Sequence, residues 1–462
     1  MSTGAGVLAR QRDPGSSLLL TDLYELTMLQ TYFEHGMTGL AVFELFFRRP
    51  AHEARNFLVA AGLEQALEYL EDLHADEAEL EWMAATGRFS RAFISRLRDL
   101  RFTGDVHALP EGTLVFPDEP VIRITAPLPE AQLVESRLMN ILHFQTLIAS
   151  KAARSVLQAP GRQLVDFGMR RAHAAEAALY AARAAYLAGF SGSSTALAGQ
   201  RYGVPVFGTM AHSFVQAHDS ESLAFERFAR SHPGGITLLI DTYDTEAAAR
   251  KLAALAPGLA ADGIRIAAVR LDSGDLADHA IRVRRILDDA GLREVRIFAS
   301  SGLDEFKLRE LLEARGAPID GFGIGSALDT SQDLPTLDCA YKLQEYAGIP
   351  RRKRSEGKAT WPGRKQVFRR RSEAGELAGD TLALEHERIA GEPLLRPVMR
   401  GGRRLPGLPD LQQARGHCRA QLAQLPVALR ALAPAPPYPV TVSEALRTLA
   451  AEADRRQIEA RP

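Results

Sequence analysis

AAVRLDSGD at residues 267–275, RIFASSGLDE at 296–305 and GFGIGSAL at 321–328 share one pattern, a short aliphatic run that ends in Gly, Ser, Asp or Arg. Runs of this length rich in Val, Ile and Leu read as buried parallel strands, and the stretches between them suit helices. The pattern recurs upstream in VDFGMRRAH (165–173), GFSGSS (189–194), VPVFGTMAHSF (204–214) and LLIDTYDT (238–245). The fold class predicted is therefore α/β, with a barrel-like βα series from Gln163 to Ala327. In such folds the loops leaving the carboxyl ends of the strands meet on one face and build the ligand site. The polar clusters are expected to share a pocket.

At 462 residues the chain exceeds what one hydrophobic core usually holds, so more than one structural unit is expected. Its 56 Lys+Arg against 57 Asp+Glu leave no net field to attract nucleic acid or an anionic membrane. The two cysteines, Cys339 and Cys418, have neither metal-site nor disulfide-framework spacing, which fits a reducing cytoplasm. Residues 1–17 lack an apolar export core and no run is long enough for a membrane span, so a cytoplasmic location is expected.

The predicted organisation is a flexible tail over 1–16, an amino-terminal α/β domain over 17–130 joined by a returning segment 336–400, a βα-barrel domain over 131–335, and a C-terminal region over 336–462. The first helix starts near Leu18 with Thr21 or Asp22 as cap, and short antiparallel strands follow in VHALPEGTLVFPDEPVIRITAPL (106–128). Helix is predicted from Pro129 to Leu157. TLDCAYKLQEY reads as a strand, residues 351–371 as an exposed basic hairpin or loop, and Val442–Arg455 as a terminal helix.

Several strand ends carry chemistry. His212 lies four residues past the glycine that closes VPVF, where an imidazole can act as acid, base or nucleophile. No partner sits at zinc-ligand spacing. Arg270 suits bidentate binding of carboxylate or phosphate. Asp272 suits sugar hydroxyls or hydrated Mg²⁺, while Ser273 or Asp275 caps the following helix. The glycines of SSGLDE and GFGIGSAL let backbone amides approach an anion, helped by helix amino termini. Phe167 offers a face for a flat ring, and Arg170 and Arg171 offer charge.

TDLYELTM (21–28), FELFFRR (43–49), DFGMRRAH, GFSGSS, GTMAHSF, LLIDTYDT, LDSGD, SGLDE, GFGIGS and KRSEGKATWPGRKQVFRR (353–370) together, in this order, resemble the nicotinate phosphoribosyltransferase family from Leu18 to Arg371. The resemblance implies an amino-terminal α/β domain, an irregular, incomplete βα barrel and a C-terminal extension, assembled as a homodimer with shared sites. It implies ATP-dependent phosphoribosyl transfer from phosphoribosyl pyrophosphate to nicotinate for NAD salvage, with Mg²⁺. His212 resembles the residue that ATP phosphorylates. Tyr24, from the neighbouring subunit, and Phe167 resemble the residues that sandwich the pyridine ring. Arg170 and Arg270 match positions for the nicotinate carboxylate or pyrophosphate, and Asp272 matches the ribose or Mg²⁺ position. Gly302, Gly323 and Gly325 match the 5-phosphate cradle, and Thr209 and Ser213 flank His212 in its motif. Where nicotinamide-using relatives carry an Asp, this chain has Ser193, Ser194 and Thr195, whose hydroxyls can donate to a carboxylate. Nicotinate is thus favoured, with nicotinamide or quinolinate as alternatives. A binding module built on the basic stretch 351–371 is the reading from another class. An aldolase or epimerase barrel is disfavoured because the strand ends hold no lysine and no histidine pair.

Overall fold

The computed structural model describes residues 15, 17–48, 55–232, 234–354 and 359–459. The tail expected over 1–16 falls outside these, Gly15 excepted. The chain divides into two compact units. One comprises residues up to Thr146 with Leu337–Leu429 and the segment from Pro434, and the other comprises Leu147–Thr336 with Arg430–Ala433. The division expected at 130/131 thus falls at Thr146–Leu147, inside the helix Glu135–Gln158.

The alternation read downstream of Gln163 is realised in the second unit as a six-stranded, wholly parallel sheet that curls into an open half-barrel. In spatial order its strands are Gly192–Ser193, Gln163–Asp166, Gly321–Ile324, Arg296–Ser300, Ile266–Leu271 and Ile236–Leu239. The register sets Asp166 beside Ile324, Ser300 beside Gly323, and Arg270 beside both Phe298 and Leu239. The carboxyl ends of the strands are therefore level. Leu164, Val165, Val269, Leu271, Ile297, Ala299 and Phe322 are buried in the core, and each large aliphatic or aromatic side chain removed from water stabilises the fold by about 1.5–3 kcal/mol. The helix Ala175–Ala188 presents Ala181, Ala182, Ala184 and Ala185, all without exposed surface, so methyl-sized side chains let it pack closely.

One expected strand is missing. VPVF contributes a single bridge between Ser193 and Val206, because Pro205 has no amide hydrogen to extend a ladder. The amide of Phe207 still donates to the Ser193 carbonyl at 2.9 Å. SSGLDE behaves as a turn with a cap: Asp304 accepts from the Lys307 amide at 2.8 Å and opens the short helix Glu305–Arg309. Glu305 itself is fully buried. Lys151 Nζ lies 2.7 Å and Arg154 Nε 2.9 Å from its carboxylate, and Asp333 completes the cluster 2.8 Å from Lys151.

In the first unit, seven strands form an antiparallel sheet in which Leu40–Phe47 pairs with Cys339–Tyr346 on one side and with the central strand Pro120–Pro127 on the other. The predicted helix 129–157 is two helices, Leu128–Leu133 and Glu135–Gln158, with Pro129 in the first turn of the former. Asp22 occupies the cap position of the helix Leu23–Glu34 without a side-chain cap bond, and the Thr21 hydroxyl donates to Glu25 at 2.6 Å instead.

The basic stretch is an exposed loop only in part, at Arg351, Lys353 and Arg354. Lys365–Arg371 is a strand of a second, four-stranded sheet, and residues 355–358 lie outside the described ones. Lys365 and Arg369 are buried. Lys365 Nζ lies 2.8 Å from Glu44, Arg369 Nη2 donates to Asp380 at 2.6 Å, and Arg352 pairs with Asp454 at 2.7 Å. Charge counting along the sequence cannot distinguish cations on a surface from cations matched to carboxylates distant in the chain. The terminal helix also shifts, to Glu444–Glu459, because the β-branched run Val440–Val442 pairs in parallel with Leu377–Leu384. Among the described residues no helix is long and apolar enough to cross a membrane.

Removing one member of a buried ion cluster leaves the other charges uncompensated. Glu305→Ala is expected to destabilise the protein by about 3–5 kcal/mol, measured by denaturant unfolding; a loss no larger than that of an exposed Glu→Ala control would refute the role given to this cluster.

Candidate functional site

At the carboxyl edge of the parallel sheet, Arg270 projects from the strand Ile266–Leu271 with partners on every arm. Its Nε donates to Ser300 Oγ at 2.8 Å, Nη1 to Thr209 Oγ1 at 3.2 Å and Nη2 to Asp272 Oδ1 at 2.9 Å. The guanidinium carbon sits 5.2 Å from the centroid of the Phe167 ring, within cation–π range. Ser300 also donates to Asp272 Oδ1, so one hydroxyl links the guanidinium and the carboxylate.

His212 opens the short helix His212–Gln216. Its Nδ1 is 3.1 Å from the Thr242 hydroxyl, and its Nε2 is 3.8 Å from Asp272 Oδ2 and 4.0 Å from Asp241 Oδ1. Asp241 was not singled out from sequence. It is buried, and its Oδ2 accepts from the Asp272 amide at 2.7 Å and the Ser273 hydroxyl at 2.6 Å, leaving Oδ1 without a hydrogen-bond partner. A signal was present in LLIDTYDT: Asp241 follows its strand as Asp272 follows the next. Asp275, not Ser273, caps the helix Leu276–Asp289, accepting from the Asp278 amide at 3.1 Å.

Two cavities open at this edge and share Phe167, Arg170, Arg270 and Asp272. One, of about 350 Å³, is also lined by Met169, Ser194, Thr209, Met210 and His212. The other, of about 320 Å³, is also lined by Arg171, Ser301, Gly302, Gly323, Gly325 and Gln332. Nine of the expected residues besides Arg270 therefore meet around one region: Phe167, Arg170, Ser194, Thr209, His212, Asp272, Gly302, Gly323 and Gly325.

The glycines serve different ends. Gly302 has φ +61° directly after Ser301 at φ +87°, a left-handed pair that glycine relieves. At Gly323 the need is space: an added Cβ would stand 2.3 Å from the Phe167 ring. The missing side chain is the seat of that ring. The helix dipole expected beyond these glycines is confined to short pieces, Glu305–Arg309 and Ser326–Asp329.

Three expected residues lie elsewhere. Ser193 is buried and donates to Asp166 Oδ2 at 2.7 Å, so its hydroxyl is committed. Ser213 is exposed and lines neither cavity. Tyr24 belongs to the first unit, where it is 46% exposed on the helix Leu23–Glu34.

Most of the chain has relatives. Residues 19–143 match the nicotinate phosphoribosyltransferase N-terminal domain, 162–349 the nicotinate phosphoribosyltransferase family and 389–450 the corresponding C-terminal domain. The chain belongs to the nicotinate phosphoribosyltransferase family. It is 51% identical over 428 residues to nicotinate phosphoribosyltransferase pncB2 of Mycobacterium tuberculosis, covering 92% of this chain and 91% of that one. It is 41% identical to a nicotinate phosphoribosyltransferase of Bacillus subtilis, covering 82% and 78%. The crystal structure of human nicotinic acid phosphoribosyltransferase superposes with a TM-score of 0.83 at 30% identity, covering 94% of this chain and 99% of the human one. The family match reaches the C-terminal region, where sequence motifs had not assigned a relationship.

Because the Phe167 ring fills the space of a Gly323 side chain, Gly323→Ala is expected to push the ring off Arg270 and destabilise the protein by about 1–3 kcal/mol. A crystal structure and a denaturation curve check both. An unmoved ring with unchanged stability would show that the seat is not tight.

Proposed function

We propose that this nicotinate phosphoribosyltransferase family member transfers the phosphoribosyl group of phosphoribosyl pyrophosphate to the ring nitrogen of nicotinate, giving nicotinate mononucleotide and pyrophosphate for NAD synthesis. The observation that carries this reading is the junction of two cavities at one Phe167–Arg270–Asp272 cluster. An aromatic face, a fixed guanidinium and a carboxylate lie where a flat ring would meet a sugar. Phe167 would stack on the pyridine, with Arg170 and Arg270 serving its carboxylate or the pyrophosphate. Asp272 would face the ribose, and the turns at Gly302 and Gly325 would face the 5-phosphate.

The chemistry asks for these groups. Displacing pyrophosphate from the ribose passes through a cation-like sugar, so anions must be held on both sides and water kept out. The pyridine nitrogen attacks with its own lone pair, and no strong base is needed. Of the three hydroxyls considered for selecting a carboxylate over an amide, only Ser194 lines the cavity. Ser193 is bonded to Asp166, and Thr195 is buried.

The finer reading concerns ATP. His212 would take a phosphoryl group from ATP, and its loss as phosphate would be coupled to mononucleotide formation. Supporting this, Nδ1 has a hydroxyl partner while Nε2 faces the carboxylates of Asp241 and Asp272; a partner on one ring nitrogen fixes the role of the other. Magnesium fits as a hydrated ion. Among the described residues no cluster of three or more His, Cys, Asp or Glu would hold a bare ion. Asp272 could hold it together with substrate phosphates and water, where the ion would neutralise the leaving pyrophosphate. Tyr24 would reach the site from a second subunit of a homodimer, consistent with its exposure. A cytoplasmic location is in keeping with two free thiols, Cys339 and Cys418.

Incubation with phosphoribosyl pyrophosphate, Mg²⁺ and nicotinate, nicotinamide or quinolinate, with and without ATP, is expected to yield nicotinate mononucleotide, faster with ATP. Product from another pyridine alone would overturn the substrate assignment. His212→Ala is expected to retain slow transfer that ATP no longer stimulates; ATP stimulation in this variant would refute the phosphohistidine.

A further inference from the structure

Beneath the loop that carries Phe167 and Arg170 lie two acids to which the reaction above gives no role. Asp166 ends the strand Gln163–Asp166, and Asp329 ends the helix Ser326–Asp329; both are buried, and both carboxyls lie against Gly168. Asp166 is surrounded as an anion. One oxygen accepts from the Gly168 amide at 2.7 Å and the other from the Ser193 hydroxyl at 2.7 Å. Asp329 is surrounded as an acid, since neither oxygen receives a hydrogen bond from a protein donor among the described residues. A second buried carboxylate beside the first, with no donor of its own, is far costlier than a neutral acid that donates. Burial first, and the neighbouring Asp166 second, hold Asp329 well above the usual carboxylate range.

Among the described residues Asp329 has no ion-pair partner that offsets this. The turn Met169–Arg171 carries Arg170 and Arg171, both exposed, and the helix Ala175–Ala188 carries Glu176 and Arg183. None of these is an ion-pair partner of Asp329, and the strands Gly192–Ser193 and Gly321–Ile324 have no charged side chain.

The acid and the loop touch directly. A Cβ on Gly168 would stand 2.1 Å from Asp329 Cγ, although Gly168 has an ordinary φ of −91°. Glycine is needed there for contact with the carboxyl, not for backbone conformation. The next residue on one side is Phe167, and Arg170 lies two beyond on the other.

We propose that Asp329 is a positioning residue for the pyridine site: as a neutral acid it donates to Asp166, which grips the Gly168 amide, and this latch sets the Phe167–Arg170 loop at the height nicotinate requires. The proposal rests on the transfer reaction inferred above. The sign of its pH dependence follows: the latch is intact while Asp329 is protonated and is lost as pH rises through its elevated pKa.

Steady-state kinetics of wild type, Asp329→Asn and Asp329→Ala, from neutral to alkaline pH, test it. The amide of D329N can donate to Asp166 but cannot ionise, so its nicotinate KM is expected to match wild type near neutrality and stay flat where the wild-type value climbs. D329A is expected to raise the nicotinate KM about tenfold through misplacement of the loop. Superimposable wild-type and D329N pH profiles, or equal impairment of D329N and D329A, would overturn the assignment, and the D329N comparison decides even if D329A does not fold. Wild type that forms no nicotinate mononucleotide removes the reaction and this role together, whereas active wild type with superimposable profiles removes this role alone.

Discussion

The site is organised around a guanidinium that cannot give up its charge. Arginine stays protonated in proteins, and a partly buried cation without a counter-group costs several kcal/mol. Arg270 meets this constraint with Asp272 two residues further on, Ser300 from the adjacent strand, Thr209 from the loop before His212 and the face of Phe167. The partners come from three strand ends and the loop before His212. Satisfying the arginine therefore fixes the relative positions of four loops, and Asp241 extends the chain of bonds by holding the Asp272 amide.

This arrangement gives the site two electrical ends. Around His212 sit two carboxylates, Asp241 and Asp272, against the single guanidinium of Arg270. Arg170, shared by both cavities, and Arg171, which borders the glycine-lined one, form no ion pair among the described residues. Phosphate-rich substrates would be drawn to the second end. The first end would accept them only with added positive charge, which is where a hydrated divalent ion has work to do.

Much of this was legible because parallel α/β sheets put function at strand ends. Strand runs such as VRL and RIFAS announce themselves by aliphatic composition; Arg270 lies within such a run, and Asp272, His212 and Phe167 each follow one closely. What sequence could not supply is the direction of a side chain after a turn. Ser193 and Ser194 are neighbours in GFSGSS, yet one hydroxyl is committed to buried Asp166 and the other lines the cavity. Gly323 reads as a phosphate-loop glycine, but its space is taken by an aromatic ring. The basic stretch misled for a related reason: Lys365 and Arg369 are answered by Glu44 and Asp380, partners that no local pattern ties to them.

Two buried devices underlie the two sides of the site, and they solve the same electrostatic problem differently. Below the phosphate-side turn, Glu305 is matched by Lys151 and Arg154, with Asp333 balancing the second cation. Opposite charges at ion-pair distance offset one another's burial, so this cluster is held by direct charge pairing. Below the ring-side loop, Asp166 and Asp329 have no ion-pair partner among the described residues, and in the latch proposed above they share a proton. A shared proton gives a directed bond of short reach, which suits the placement of a glycine backbone against a carboxyl, but it survives only while the proton is present. On the roles proposed above, the phosphate side would be anchored by charge balance and the ring side by protonation, so the loss of one proton would loosen the ring side.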